Sequence, residues 1–219
     1  MVTVLHQDRH IVVCIKPAGV LSQDSGENSM PQMLKKQLEL SYIAPVHRLD
    51  QQVGGVMVYA LTEQAAASLS RQIQDHSFEK RYYAVLRGCP AEKNAVLEDL
   101  LFHDRNRNKT YVVDRARKGV KDARLSYEVL EEIDGKTVVF VRLFTGRTHQ
   151  IRVQFASRKL PLVGDGKYGG KEPGTSLALW SCLLKFVHPQ TGESLMFRQN
   201  PPQIAPWNVF QCWRDAFDG

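Results

Sequence analysis

Two runs rich in strand-forming residues, ARLSYEVLEEI (123–133) and KTVVFVRLF (136–144), are joined only by Asp134-Gly135. Asp-Gly between such runs is a strong two-residue hairpin signal, so the runs must lie side by side and antiparallel. A second hairpin is expected where SLALWSCLLKF (176–186) and SLMFR (194–198) flank HPQTGE (188–193). Further strands are expected at HIVVCIK (10–16), which ends at Pro17-Ala18-Gly19, at GVMVYAL (55–61), and at KRYYAVLRG (80–88), which Gly88 and Pro90 terminate. Helical spacing is scarcer. SMPQMLKKQLEL (29–40) carries Ser29 as a candidate N-cap and Pro31 in the first turn. Thr62 can cap EQAAASLSRQIQDH, whose Ala65, Ala66, Leu69 and Ile73 share one face. RTHQIRVQFASR (147–158) has Thr148 as a candidate cap and Ile151, Phe155 and Ala156 facing inward, and the tail PWNVFQCWRDAF (206–217) reads as a short helix. Strands predominate and alternating βαβ units are few. The expected class is α+β, with a largely antiparallel mixed sheet flanked by helices and loops.

With 219 residues and 43% hydrophobic content, the chain can bury one substantial core, and a single domain over 1–219 is the expectation. No apolar run approaches the roughly 18 to 20 residues needed to cross a bilayer, and His, Asp and Arg interrupt MVTVLHQDRHIVVCIKP at the start. Cys14, Cys89, Cys182 and Cys212 lie far apart and form no CxxC pair, which argues against a zinc site or a disulfide framework and fits a reducing cytoplasm. The formal net charge of +6 favours a polyanionic partner. Mildly basic proteins are common, so clustering matters more. HDRNRNKTYVVDRARKGVKDAR (103–124) gathers Arg105, Arg107, Lys109, Arg115, Arg117, Lys118, Lys121 and Arg124 against Asp104, Asp114 and Asp122. It reads as a phosphate-facing surface or as a solvated loop.

Several polar groups sit beside apolar runs. In VHRLD (46–50), Asp50 precedes two glutamines and Gly54-Gly55, which places it on a loop before a strand. Its carboxylate either caps a turn or pairs with Arg48, or else serves as a nucleophile or base held ionised by a cation. TGRTHQIRV (145–153) puts Arg147 near a helix start and His149 and Arg152 three apart. An arginine so near the Ile151 and Phe155 stripe either pairs with a buried carboxylate or snorkels outward. Tyr82 and Tyr83 fall on opposite faces of a strand, so one packs inward while the other meets a cleft, where it could stack on a base, or solvent. GDGKYGGK (164–171) lacks the GxxxxGK[ST] register of a phosphate loop. With no GxSxG or HExxH motif and scattered histidines, the sequence implies neither a catalytic metal nor a cofactor.

VHRLDQQVGGVMVYA resembles the catalytic motif of the RluA-type pseudouridine synthase family. VVCIKPAGVLSQ is similar to that family's Lys-Pro-Ala-Gly segment, EKRYYAVLRG to its Lys-x-Tyr-x-Ala strand, TGRTHQIRVQFA to its Gly-Arg-Thr-His-Gln-Ile-Arg helix, and PLVGDGKYG to its Gly-Asp-x-x-Tyr loop. The resemblance implies the pseudouridine synthase fold with a central RNA-binding cleft, and metal-free isomerisation of uridine in a structured rRNA or tRNA stem-loop. It implies Asp50 as the catalytic aspartate, Arg152 as its basic partner, and Tyr82 as the tyrosine that stacks on the flipped base. Arg48, Lys80, Arg147 and His149, with Arg105, Arg107 and Lys109 from the basic stretch, are expected to face RNA. The expected protein is a cytoplasmic monomer of the branch without an N-terminal RNA-binding module, since HRLD begins at residue 47. One departure stands out: Val53-Gly54-Gly55 replaces the family's usual Thr-Ser-Gly, removing two hydroxyls that could brace the loop. That change motivates an alternative, an RNA-binding or RNA-folding protein of the same fold with little catalysis.

Overall fold

The computed structural model describes residues 1–24, 26 and 28–214. In chain order its elements are β1 (Thr3–Gln7), β2 (Ile11–Lys16), α1 (Met30–Leu38), β3 (Ala44–Pro45), β4 (Gly54–Ala60), α2 (Glu63–Gln74), β5 (Glu79–Arg87), β6 (Asn94–Asp104), β7 (Lys109–Val113), β8 (Val120–Ile133), β9 (Lys136–Leu143), α3 (Gln150–Ser157), β10 (Leu179–Val187) and β11 (Ser194–Arg198). They group into two compact units, Met1–Lys80 with Trp180–Gln199, and Arg81–Leu179 with Asn200–Gly219.

In the first unit the strand order is β1-β2-β4-β10, with β3 added to β4 and β11 to β10. β2 runs antiparallel to β4 from Ile11↔Ala60 to Lys16↔Gly55, whereas β10 joins β4 in parallel through Trp180↔Gly54 and Ser181↔Gly55. Every residue of β4 is buried, Val56, Val58 and Ala60 on the face that α2 covers and Met57 and Tyr59 on the opposite face, which explains why its sequence is continuously apolar instead of alternating. The core is built from one face of each strand: Ile11 and Val13, Val56, Val58 and Ala60, Leu184 and Phe186, closed over by Ala65 and Leu69 of α2 and by Phe78. Phe78 stacks on Phe186 with ring centroids 5.2 Å apart. α2 begins as expected, because the Thr62 hydroxyl accepts a hydrogen bond from the Ala65 N–H at 3.1 Å. Ser29 does occupy the N-cap position of α1, yet its side chain makes no capping bond.

In the second unit the order is β5-β9-β8-β6-β7. β8 and β9 form the anticipated hairpin: Ile133 pairs with Lys136, and Asp134 and Gly135 take φ of 50° and 69°, the left-handed pair a type I′ turn requires. β6 lies antiparallel to β8 from Asn94↔Glu128 to Phe102↔Val120, and β7 folds back along β6. α3 is buried from Gln150 through Phe155, with Phe155 edge-on to Tyr127 at 5.3 Å. Tyr83 packs against Phe140 and Trp213, the inward role foreseen for one tyrosine of the pair.

Three local expectations change. The basic stretch 103–124 is not one loop: it takes in the end of β6, all of β7 and the start of β8, so its charges are spread over strand ends and two turns. The cap residue of α3 is His149, with φ of 55°, and not Thr148, whose carbonyl instead accepts from the Thr110 hydroxyl at 2.9 Å. The tail forms two 3-10 turns, Trp207–Val209 and Cys212–Arg214, in place of a helix, and residues 215–217 of that run lie outside the described residues. Among the described residues no helix is long and apolar enough to cross a membrane. Because the Thr62 hydroxyl satisfies one otherwise orphaned N–H, Thr62→Ala is expected to lower the unfolding free energy by about 1 kcal/mol, read from the urea midpoint.

Candidate active site

In the first unit, Asp50 is half-buried in a loop tied down on several sides. The Val53 N–H donates to the Asp50 carbonyl at 3.0 Å and closes the turn. The next carbonyl, that of Gln51, accepts from the Gly19 N–H at 2.8 Å and from the Lys16 ammonium at 3.0 Å, while the Gln51 amide donates back to the Gly19 carbonyl at 3.0 Å. On the other side of the aspartate, the Leu49 carbonyl accepts from Ser22, whose own carbonyl accepts from the Tyr59 hydroxyl, both at 2.9 Å.

Lys16 is the group that sequence reasoning missed here. Its side chain has no solvent exposure, and its ammonium also donates to the Pro17 carbonyl at 2.9 Å. Burial pulls it down to about 8, with the Asp50 carboxylate acting in the opposite direction. At neutral pH it therefore carries a positive charge, in electrostatic interaction with the Asp50 carboxylate. The signal is present in the sequence as a lysine ending an apolar strand just before Pro17-Ala18-Gly19.

His47, in the same HRLD motif, is a brace. Its Nε2 accepts from the Val58 N–H of β4 at 3.2 Å, which fixes the proton on Nδ1. Burial, and after it the Lys80 ammonium, pull the imidazole down to about 3, so it stays neutral at physiological pH. Lys80, expected to face RNA, is itself half-buried, and burial lowers its pKa; Arg48 is exposed.

In the second unit the alternatives left open for Arg152 are resolved against snorkelling, since the residue is only 8% exposed. Its guanidinium meets a buried carboxylate, that of Asp165, fork to fork: Nε donates to Oδ2 at 2.7 Å and Nη2 to Oδ1 at 2.8 Å. Asp165 also accepts the backbone N–H groups of Lys167 and Tyr168, at 3.1 and 3.2 Å. The Tyr168 ring lies 5.1 Å from the guanidinium carbon, and its hydroxyl accepts from the Thr110 N–H at 2.8 Å and meets His149 Nδ1 at 2.9 Å. Thr110 in turn donates to the Thr148 carbonyl and accepts from His103 Nδ1 at 3.0 Å. The Gly-Asp-x-x-Tyr loop is thus the seat of Arg152, a role its glycine-rich sequence did not reveal.

The remaining expected residues of this unit divide by exposure. Tyr82 is 5% exposed on β5, and His149 is buried against Tyr168. Gln150 holds the approach to α3, accepting from the Thr145 hydroxyl and the Arg147 N–H and donating to the Arg124 carbonyl. Arg147 Nε donates to the Asp122 carbonyl at 2.8 Å. Arg105 and Arg107 are exposed at the β6–β7 turn, which Asp104 caps by accepting from the Asn106 and Arg107 N–H groups. Lys109 sits at its base, its ammonium 5.4 Å from the Tyr168 ring.

Residues 10–157 match the family model described as RNA pseudouridylate synthase. The chain belongs to this family. Ribosomal large subunit pseudouridine synthase D of Nitrosomonas europaea is 33% identical over 216 residues, an alignment covering 91% of this chain and 62% of that protein. Dual-specificity RNA pseudouridine synthase RluA of Yersinia pestis is 35% identical over 202 residues, covering 89% of this chain and 97% of that one. The chain thus spans less than two thirds of the first relative and nearly all of the second. Among solved structures, Human RNA Pseudouridylate Synthase Domain Containing 1 superposes with a TM-score of 0.79 over 97% of this chain and 88% of that one; at 23% identity this is a likeness of fold. The α+β pseudouridine synthase fold and the RluA-type resemblance therefore stand.

Two measurements probe these pseudouridine synthase motifs as structure. Asp165→Asn removes one charge of a buried, doubly hydrogen-bonded pair and is expected to destabilise the chain by about 3 kcal/mol in urea unfolding. For His47 the folded value of about 3 lies below the unfolded value of 6.5, so its contribution is fully present above pH 6.5 and is lost as pH falls toward 3. The urea midpoint of the wild type should fall more steeply across that window than that of His47→Gln.

Proposed function

We propose that this chain is an RNA pseudouridine synthase, isomerising particular uridines in a structured rRNA or tRNA stem-loop. The observation that carries the proposal is Asp50: a half-buried carboxylate on a loop pinned at Leu49, Gln51 and Val53, in electrostatic interaction with the buried Lys16 ammonium. A carboxylate so held can act at the ribose as nucleophile or base. The bond from N1 of uracil to C1′ breaks, the base turns while bound, and C5 joins C1′. The C5 proton is then lost and N1 gains one. Atoms and electrons balance within the nucleotide, so the reaction calls for no oxidant, water, metal or cofactor.

Tyr82 and Arg152 are assigned the roles of their motifs, stacking on the target base while assisting removal of the C5 proton, and supplying the basic group. The Asp165 fork and the Tyr168 ring give Arg152 a fixed direction. Extracting the uridine from its stack costs roughly a few kcal/mol, and phosphate contacts from Arg105, Arg107 and Lys109 on the β6–β7 turn help to offset it. Arg48, Lys80, Arg147 and His149 complete the proposed RNA-facing set. On this reading the protein acts in the cytoplasm as a monomer.

The test is to incubate the protein with cellular RNA and map pseudouridine by carbodiimide-dependent reverse-transcription stops. Wild type is expected to introduce discrete stops, and Asp50→Asn to lower the rate at those positions by at least about a thousandfold. Identical maps from the two proteins would leave only the RNA-binding reading.

A further inference from the structure

The departure at Val53-Gly54 has a counterpart in space. A Cβ on Gly54 would lie 2.5 Å from Cζ3 and 3.0 Å from Cε3 of the Trp180 indole, and 3.2 Å from the Lys16 carbonyl. Trp180 is itself fixed: it pairs in register with Gly54 where β10 joins β4, it is buried, and its Nε1–H donates to the Gln199 carbonyl at 2.8 Å. At the following position Gly55 adopts φ of 122° with its α-carbon against the Ser181 backbone, and the Ser181 hydroxyl donates to the Val56 carbonyl at 3.0 Å. The indole therefore occupies the space into which a side chain at position 54 would project. A serine at 54 and an indole at 180 cannot both keep these places.

We infer that Trp180 is a positioning residue for Asp50, its indole bracing the segment after the aspartate by packing on Gly54. The mechanical link is short. Gly54 is bonded to Val53, whose N–H closes the turn onto the Asp50 carbonyl, and the Gly19–Gln51 bond holds the opposite side of that turn. With the indole in place the segment is clamped between β10 and the Lys16 end of β2, so backbone packing supplies the bracing that hydroxyls at 53 and 54 would otherwise give. Without it, residues 53–55 have room to shift and the carboxylate loses its fixed direction. This inference rests on the pseudouridine synthase reading for its catalytic consequence, though the clamp itself does not.

The test uses full-length Trp180→Ala, Gly54→Ser and the double variant, with kcat and KM on the RNA that wild type modifies and amide hydrogen exchange at Val53 and Gly19. Trp180→Ala is expected to lower kcat about tenfold with KM within about twofold of wild type, and to speed exchange at Val53 and Gly19 about tenfold while β8 and β9 amides are unchanged. Gly54→Ser is expected to lose kcat or fold poorly, and the double variant to exceed Gly54→Ser in both kcat and thermal midpoint, because removing the indole relieves the clash. Wild-type exchange at Val53 in Trp180→Ala, unchanged kcat in that variant, or strictly additive losses in the double variant would overturn the inference. A wild type that forms no pseudouridine would instead sink the functional reading, with the exchange data still deciding whether Trp180 clamps the loop.

Discussion

An ammonium with no solvent exposure has to find acceptors, and the first unit is arranged around that demand. Lys16 ends β2 pointing into the protein and satisfies itself on the carbonyls of Pro17 and Gln51. Leaving such a group without partners would cost several kcal/mol, so the turn after β2 and the loop after Leu49 are forced together. The backbone bond between Gly19 and Gln51, the amide of Gln51 and the closed turn from Asp50 to Val53 all follow from that approach. The carboxylate of Asp50 then lies in the field of the charge that organised its loop.

The second unit solves a parallel problem with a different cation. Arg152 occupies a helix buried on nearly every side, where a guanidinium is tolerated only with its fork matched. Asp165 provides the match, and the tight loop carrying it also brings Tyr168 beneath the guanidinium. Through the Tyr168 hydroxyl, Thr110 and the Thr148 carbonyl, that loop, the start of β7 and the approach to α3 become one hydrogen-bonded body. The exposed Arg105 and Arg107 are consequently carried on a braced hairpin and not on a loose loop, which would reduce the ordering cost of the phosphate contacts proposed for them.

What the sequence makes legible is local. The Asp134-Gly135 turn, the Thr62 cap and the all-apolar β4 each declare themselves within a few residues, because turn chemistry, capping and burial pattern act at short range. β6 and β7 were not legible: NAVLEDLLFHD mixes acids with aliphatics, and KTYVV follows RNRN, so charge masked the strand signal where the ribbon is only partly covered. His149 displaced Thr148 as the cap because the Thr148 carbonyl is drawn to Thr110, a contact no local rule contains. In the same way Val53-Gly54 looked like a loss of bracing, since Trp180 lies in a different part of the chain.

The sequence by itself determined the class of fold, the family and the chemistry available, because these depend on residue type and short spacing: an aspartate in HRLD, an arginine in GRTHQIR, and hairpins whose turns admit one geometry. Tertiary structure decided which charges are buried and what they touch. It made Lys16 a partner of Gln51, Asp165 the seat of Arg152, His47 a neutral brace and Trp180 the neighbour of Gly54. The reason is physical: desolvation depends on everything that surrounds a group, and most of what surrounds these groups comes from distant stretches of the chain.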